Sequence, residues 1–432
     1  VSRRSLEFGC AVVLVGLLAG VAGMATTLLL HAVEHLTYHY SFGTLLDGVD
    51  SSSPMRRALG PMVGGALAGF GWYLLRRRTE VPSLSGAIAD HRPIPRISMS
   101  IDAALQVLVV GSGASLGREG APRQFAAALG DAGTSRWALT PHDREILLYC
   151  AAGAGLAAVY SVPLGGALFA TQILMRTWHP RALGTALITS SLAVAVASPV
   201  THESPPLDWP DPSLSYLLIA FAVVLAPLAF GVGMVFNRLM AAARPAAAVK
   251  SWMLVPAVAA VGLLVGVCSL HWPELPGNGK SILTVSLDSG MTLSAAAAIL
   301  LLKPLLTASY LRAGAVGGLL TPALATGAAM GSLVALAISS WTELAVSVPA
   351  VSLACAAGVL AITQRAPMWA ALFVWELARP PWWLLVVFLV AALAAHGLRL
   401  LTERRAGPPR STGSWSSFRR RRRSPPGPRR SG

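Results

Sequence analysis

Gly117-Arg118-Glu119-Gly120 sets an arginine and a glutamate side by side between glycines, in a segment that is otherwise apolar or small from Val107 to Gly113 and from Phe125 to Gly130. Of the 432 residues only 12% are charged and 54% are hydrophobic. At membrane depth an ionised pair is costly, and intramembrane charges by default mark a path for an ion or substrate. The glycines let backbone come close to a ligand, and a helix starting there aims its unbonded N–H groups at an anion. The stretch reads as an anion site with a carboxylate in it. Its structural alternative is an ion pair between Arg118 and Glu119, since buried charges must find partners.

Composition places that site in a membrane. Mean hydropathy is +0.61, above that of an aqueous globular domain. Apolar runs at Phe8 to Leu30, Ala58 to Leu75, Tyr216 to Phe236, Met253 to Cys268, Ala295 to Leu306 and Trp382 to Leu401 suit spanning helices, which need about 20 residues. Shorter stretches broken by Gly and Pro (Val107 to Gly113, Leu147 to Tyr160, Val316 to Leu336) read as helices that stop inside the bilayer, where protein or water must cover their ends. The fold class is an all-α polytopic membrane protein. Residues 1–402 form one transmembrane domain, and 403–432 form an arginine-rich disordered tail.

The net charge of +15 is unevenly placed. Residues 403–432 carry ten arginines and one acid among Pro, Ser and Gly. That reads as a cytoplasmic tail obeying the positive-inside rule, not as a nucleic-acid arm. Arg3 and Arg4 put the N-terminus on the same side, Arg76 to Arg78 return to it, and an even number of crossings follows. The first segment runs too long for a cleaved leader. Cys10, Cys150, Cys268 and Cys355 sit singly in apolar segments, without metal spacing, and read as buried free thiols.

Two pieces of the chain repeat about 200 residues apart. Gly113-Ala114-Ser115-Leu116-Gly117 matches Gly314-Ala315-Val316-Gly317-Gly318, each ahead of an apolar helix. Pro163-Leu164-Gly165-Gly166-Ala167-Leu168-Phe169 matches Pro367-Met368-Trp369-Ala370-Ala371-Leu372-Phe373, with Gln172 and Glu376 corresponding beyond. Duplicated, Gly/Pro-interrupted segments point to a transporter fold with its site near the midplane between repeats. The halves are about 1–203 and 213–402, with the break in the proline-rich stretch 204–212.

Jointly, four stretches resemble the CLC family of chloride channels and proton-coupled chloride transporters: Gly113 to Pro122, Ala151 to Phe169, Gly314 to Pro322, and Arg365 to Glu376. The resemblance covers roughly residues 8–400. It implies an inverted repeat whose discontinuous helices meet at a central anion site, in a homodimer with one pore per protomer. It also implies amides of Arg118, Glu119, Gly120, Leu319 and Leu320 around the anion, and the Glu119 side chain as the gate. Partial positive charge at helix N-termini binds an anion without the full charge that would hold it too tightly.

The sequence departs from the family pattern in several places. The loop that carries the family's anion-coordinating serine falls on Arg78-Thr79-Glu80-Val81-Pro82. Thr79 keeps a hydroxyl there, while Glu80 would repel anions unless paired, with Arg77 or Arg78 the candidates. The family proline comes one place late, at Pro122, and its phenylalanine is Leu320. The inward-facing proton-passing glutamate aligns with Ile173, next to Gln172, and neither side chain titrates. The family's C-terminal tyrosine has no counterpart near Gly407, and no regulatory domains are expected after the transmembrane domain.

Three readings stay open: passive conduction of chloride or another small anion, proton/chloride antiport, and a non-transporting protein that keeps the fold. No enzyme, cofactor or metal is expected. His31, Glu34, His35 and His39 carry a zinc-peptidase spacing, but at a helix end where amphipathic residues meet headgroups. Pro276 to Ser281 ends like a phosphate loop yet has Glu274 where the first glycine belongs, and reads as a turn. Membrane lipid is the other partner, in the cytoplasmic membrane.

Overall fold

The two halves are built alike. In the computed structural model, which describes residues 3–40, 43–90, 92–201, 209, 215–287, 290–342 and 346–405, a long helix α1 (Arg3–Tyr38) and a short α2 (Leu45–Ser51) come first. Then follow α3 (Pro54–Arg78), α4 (Leu84–Ala89), α5 (Arg96–Gly111), α6 (Gly120–Thr134), α7 (Pro141–Tyr160), α8 (Pro163–Leu168) and α9 (Pro180–Thr201). After α10 (Tyr216–Val224) and α11 (Ala226–Ala243) the pattern returns as α12 (Leu254–Ser269), α13 (Lys280–Leu287), α14 (Leu293–Ala313), α15 (Leu320–Trp341), α16 (Val348–Gln364), α17 (Pro367–Ala378) and α18 (Leu384–Arg405). Elements α3 to α9 and α12 to α18 correspond in order, with some unequal in length, as α3 (25 residues) and α12 (16 residues) are. Proline 204–212, the expected break, lies outside the described residues apart from Trp209.

Among the described residues, seven helices are long and apolar enough to cross a bilayer: α1, α3, α9, α11, α14, α15 and α18. Their outward faces stay apolar, as at Val63, Leu67, Phe70 and Leu74 of α3, the side lipid would wet. Small residues bring the halves together. Gly65 and Gly69 of α3 lie against the Val258 and Leu254 carbonyls, and Gly262 and Gly266 of α12 against those of Pro61 and Ala58. Without a hydrophobic force between helices in lipid, such close backbone packing supplies the contact.

The structure differs from the sequence expectation at identifiable points. The run Tyr216 to Phe236 is two helices, broken at Leu225 because Pro227 falls inside the next first turn. The stretch from Val316 carries a longer helix than expected: α15 starts at Leu320 and runs 22 residues, to Trp341. Helix α9, with its Thr and Ser residues, spans where no run was assigned. Cys10 is exposed, Cys268 half-buried, and only Cys150 and Cys355 are buried. Helix α18 continues through Arg405, past the boundary drawn at 402, and residues 406–432 of the tail lie outside the described residues.

Candidate functional site

The residue before each of two helices decides the site. Helix α6 starts at Gly120, with Glu119 as its N-cap. Helix α15 starts at Leu320, with Leu319 as its N-cap. Neither helix is capped by its own N-cap side chain, so both present unbonded amides. An isolated antiparallel bridge joins the two approach loops: Gly117 N donates to Gly318 O at 2.8 Å, and Gly318 N to Gly117 O at 2.7 Å. Here the repeats touch backbone to backbone.

Glu119 is 1% exposed and lies across that bridge. Its Oε1 accepts from the Thr321 amide at 2.7 Å and the Thr321 hydroxyl at 2.5 Å. Its Oε2 is buried without a hydrogen-bond partner. A Cβ on either Gly117 or Gly318 would collide with this carboxylate as it is seated, so glycine at both positions leaves it room. The amide that holds Glu119 belongs to Thr321, next to Leu319 and Leu320, whose amides the family resemblance assigns to the anion. Leu320 is buried and Leu319 half-buried beside it.

Arg118 does not pair with Glu119. Its Nη2 donates to Val159 O at 3.0 Å, and its guanidinium lies 5.0 Å from the Tyr160 ring centroid. Arg123 reaches back instead, its Nε donating to the Glu119 carbonyl at 2.9 Å. Gly120, the first residue of α6, faces Gln106 Oε1, a buried atom without a hydrogen-bond partner. Gln106 Nε2 donates to Asp102 Oδ2 at 2.8 Å and Gln124 Oε1 at 3.0 Å, and Trp72 Nε1 donates to Asp102 Oδ1 at 2.8 Å. This network ties α3 and α5 to the start of α6.

The loops that lead into both helices are braced from outside their own segment. Gly113 O accepts from Gly277 N at 3.0 Å. Lys303, fully buried, holds that second loop by donating to Leu275 O at 2.9 Å and Gly277 O at 2.7 Å. Pro276 to Gly279 is thus a turn between α12 and α13, and Lys280 and Ser281 open α13. Gly314 O accepts from Arg76 Nη2 at 2.9 Å, and Thr307 Oγ1 donates to Ser115 O at 2.7 Å.

Other sequence candidates lie elsewhere. Thr79 is exposed, and its hydroxyl donates to Leu75 O at 3.1 Å, closing α3. Glu80 pairs with Lys250 at 3.3 Å, across 170 residues, instead of with Arg77 or Arg78. Arg77 stacks on Tyr73 and donates to its hydroxyl at 2.8 Å. Ile173 and Gln172 sit in a π-helical turn (Phe169–Met175) after α8. Ile173 packs on the core, and Gln172 Nε2 is buried without a partner. Glu376 accepts from Leu164 N at 3.0 Å and Gly165 N at 2.6 Å, so it caps α8 from the other half. In the histidine cluster the His31 and His35 rings stack at 6.5 Å, and Glu34 accepts from Tyr40 Oη at 3.4 Å. Among the described residues no group of three or more His, Cys, Asp or Glu could hold a metal.

Taken together these features define an all-α, polytopic membrane protein with duplicated halves and broken helices whose N-termini meet at a buried carboxylate. The family model for voltage-gated chloride channels matches residues 64–399. A voltage-gated ClC-type chloride channel, ClcB, of Escherichia coli O17:K52:H18 (strain UMN026) is 31% identical over 381 residues, covering 84% of this chain and 88% of the relative. The chain belongs to the voltage-gated chloride channel (CLC) family. Its fold is similar to that of a slow cyanobacterial Cl⁻/H⁺ antiporter (TM-score 0.77, 19% identity, 92% of this chain and 95% of the other). A CLC-type fluoride/proton antiporter is also similar (TM-score 0.71, 18% identity, 92% and 96%). The protein is therefore one of a family that moves anions across membranes.

Proposed function

We propose that this chain conducts small anions, chloride first, through a pathway gated by Glu119, without obligatory proton exchange. One observation carries the reading. The Glu119 carboxylate sits where two helix N-termini meet, taking from Thr321 an amide and a hydroxyl hydrogen bond. Donors of this kind serve a permeating anion equally well, so the carboxylate and the anion compete for one place. Protonation or displacement of the side chain opens it. The anion-binding set is then Arg118, Glu119 and Gly120 backbone with Leu319, Leu320 and Thr321, and Thr79 stands at the exposed inner approach.

Uncoupled movement follows from the inner half. A relay there needs a titratable side chain or a held water file, and Ile173 offers neither donor nor acceptor. Glu376 is committed to the α8 amides. Antiport is the second reading, favoured by the unpartnered Gln172 Nε2, which could orient water. We place the protein in the cytoplasmic membrane as a homodimer with both termini inside.

The test is chloride efflux from liposomes as a function of pH. Glu119→Gln should raise efflux and flatten its pH dependence. A variant that keeps the parent's pH profile would remove Glu119 as the gate. In the same vesicles, uphill proton movement driven by a chloride gradient at clamped voltage would restore antiport. Flux of neither ion would leave a fold kept for something other than transport.

A further inference from the structure

We propose that the Tyr160 hydroxyl is an anion ligand of this site. When the Glu119 carboxylate leaves, the O–H of Tyr160 and the N–H and O–H of Thr321 close on a small monovalent anion. The assignment rests on the reading of Glu119 as the gate.

Three neighbouring residues each carry a buried polar atom without a partner: Glu119 Oε2, Tyr160 Oη and Arg118 Nε. The Tyr160 hydroxyl lies beside the Thr321 and Arg118 side chains and in the field of the Glu119 carboxylate, without meeting any of them in hydrogen-bond geometry. A buried donor left unpaired is costly, so each such group in a native protein calls for an explanation. One orphan could be a packing accident. Two unpaired donors on residues that flank a displaceable carboxylate describe a place for something that both accepts and leaves.

The ring is held for that purpose. Tyr160 ends α7, and Ser161 follows it in the left-handed region (φ 54°, ψ 43°), which fixes where the helix stops. Phe373 meets the ring edge-on at 6.0 Å, and the Arg118 guanidinium covers its face at 5.0 Å. A phenylalanine would make the same two contacts. The hydroxyl adds nothing to them, and it has no partner in hydrogen-bond geometry. A neutral O–H also suits a conducting site, because it binds an anion without the full charge that would slow its release.

Isothermal titration of chloride into the purified full chain separates the outcomes. Glu119→Gln, with the carboxylate's charge removed, is expected to bind chloride. Glu119→Gln/Tyr160→Phe should bind it about tenfold more weakly, the loss expected for one hydrogen bond to a charged group. Thermal midpoints in chloride-free buffer should match, while the rise on adding chloride should shrink, which a merely structural role would not produce. If the double variant does not fold, Tyr160→Phe alone is assayed for efflux, and its half-saturating chloride concentration should rise about tenfold. Chloride binding to Glu119→Gln that Tyr160→Phe leaves unaltered overturns this assignment alone. No chloride binding to Glu119→Gln overturns the anion site itself, and the assignment with it.

Discussion

Thr321→Val probes the latch without touching the gate. The substitution keeps the amide that Glu119 Oε1 accepts at 2.7 Å and deletes the hydroxyl at 2.5 Å. Valine has nearly the shape of threonine, and the first turn of α15 already carries a branched side chain there. A hydrogen bond to a charged group contributes about 1.5–3 kcal/mol. Each 1.4 kcal/mol is about a tenfold change in population, so the seated carboxylate should lose about ten- to a hundredfold against its displaced forms. Chloride efflux from liposomes, read with a chloride electrode, should therefore rise wherever the parent is limited by the closed gate. In the Glu119→Gln background the same substitution has little carboxylate left to release, and any gain should vanish. A Thr321→Val protein that conducts no faster than its parent, under conditions where Glu119→Gln does, would refute the idea that the Thr321 hydroxyl holds the gate shut.

Gly318→Ala puts a methyl where Glu119 Oε2 lies. Overpacking should cost about 1–3 kcal/mol, read as a lower thermal midpoint, and efflux should lose its pH dependence as in Glu119→Gln. Lys303→Met leaves the Leu275 and Gly277 carbonyls without their buried donor, at about 1–3 kcal/mol each, and an unchanged midpoint would show that the loop stands without it. Removal of the chain after Arg405 should leave folding intact. A cut after Thr402 should lower the midpoint, because it removes Glu403, which Arg399 holds at 2.9 and 2.7 Å with only 7% of its own side chain exposed. Equal midpoints for the two truncations would deny that ion pair a structural part.

The glycine-flanked charge pair was legible in the sequence because its cost in a membrane is high whatever the tertiary detail. The repeat was legible because proline and glycine sit at the same offsets in both halves. Which amide meets the carboxylate was not: that it is Thr321 depends on where α15 begins, and helix starts are set by the approach loop as much as by local preference. Tyr160 was passed over inside an Ala-rich match, although an aromatic hydroxyl ending a helix just before Pro163 was a usable signal. Glu80 was read against its sequence neighbours, and no local rule points to Lys250, 170 residues away. For an exposed pair of that kind the stability gain is about 0–1 kcal/mol, so its relevance is to local charge on the approach. The division of Tyr216 to Phe236 at Pro227 was readable and was outweighed by the length of the apolar run.

Neither half of the chain could make this site alone. Gly117 bonds to Gly318, Glu119 to Thr321, and Gly113 to Gly277. Arg76 of the first half holds Gly314 of the second, while Glu376 of the second caps α8 of the first. Each contact satisfies a backbone group that a broken helix or its approach loop would otherwise leave bare at membrane depth, where no water could take it. The cross-bracing therefore solves a folding problem and a functional one with the same atoms. It lets helices end inside the bilayer, and it leaves at their meeting point a small number of donors not claimed by the protein. The loops around those donors are held in place because Gly117, Gly318, Gly113 and Gly277 are tied across the repeat boundary. A carboxylate on a flexible side chain can then occupy the spot or vacate it while the surrounding backbone stays fixed.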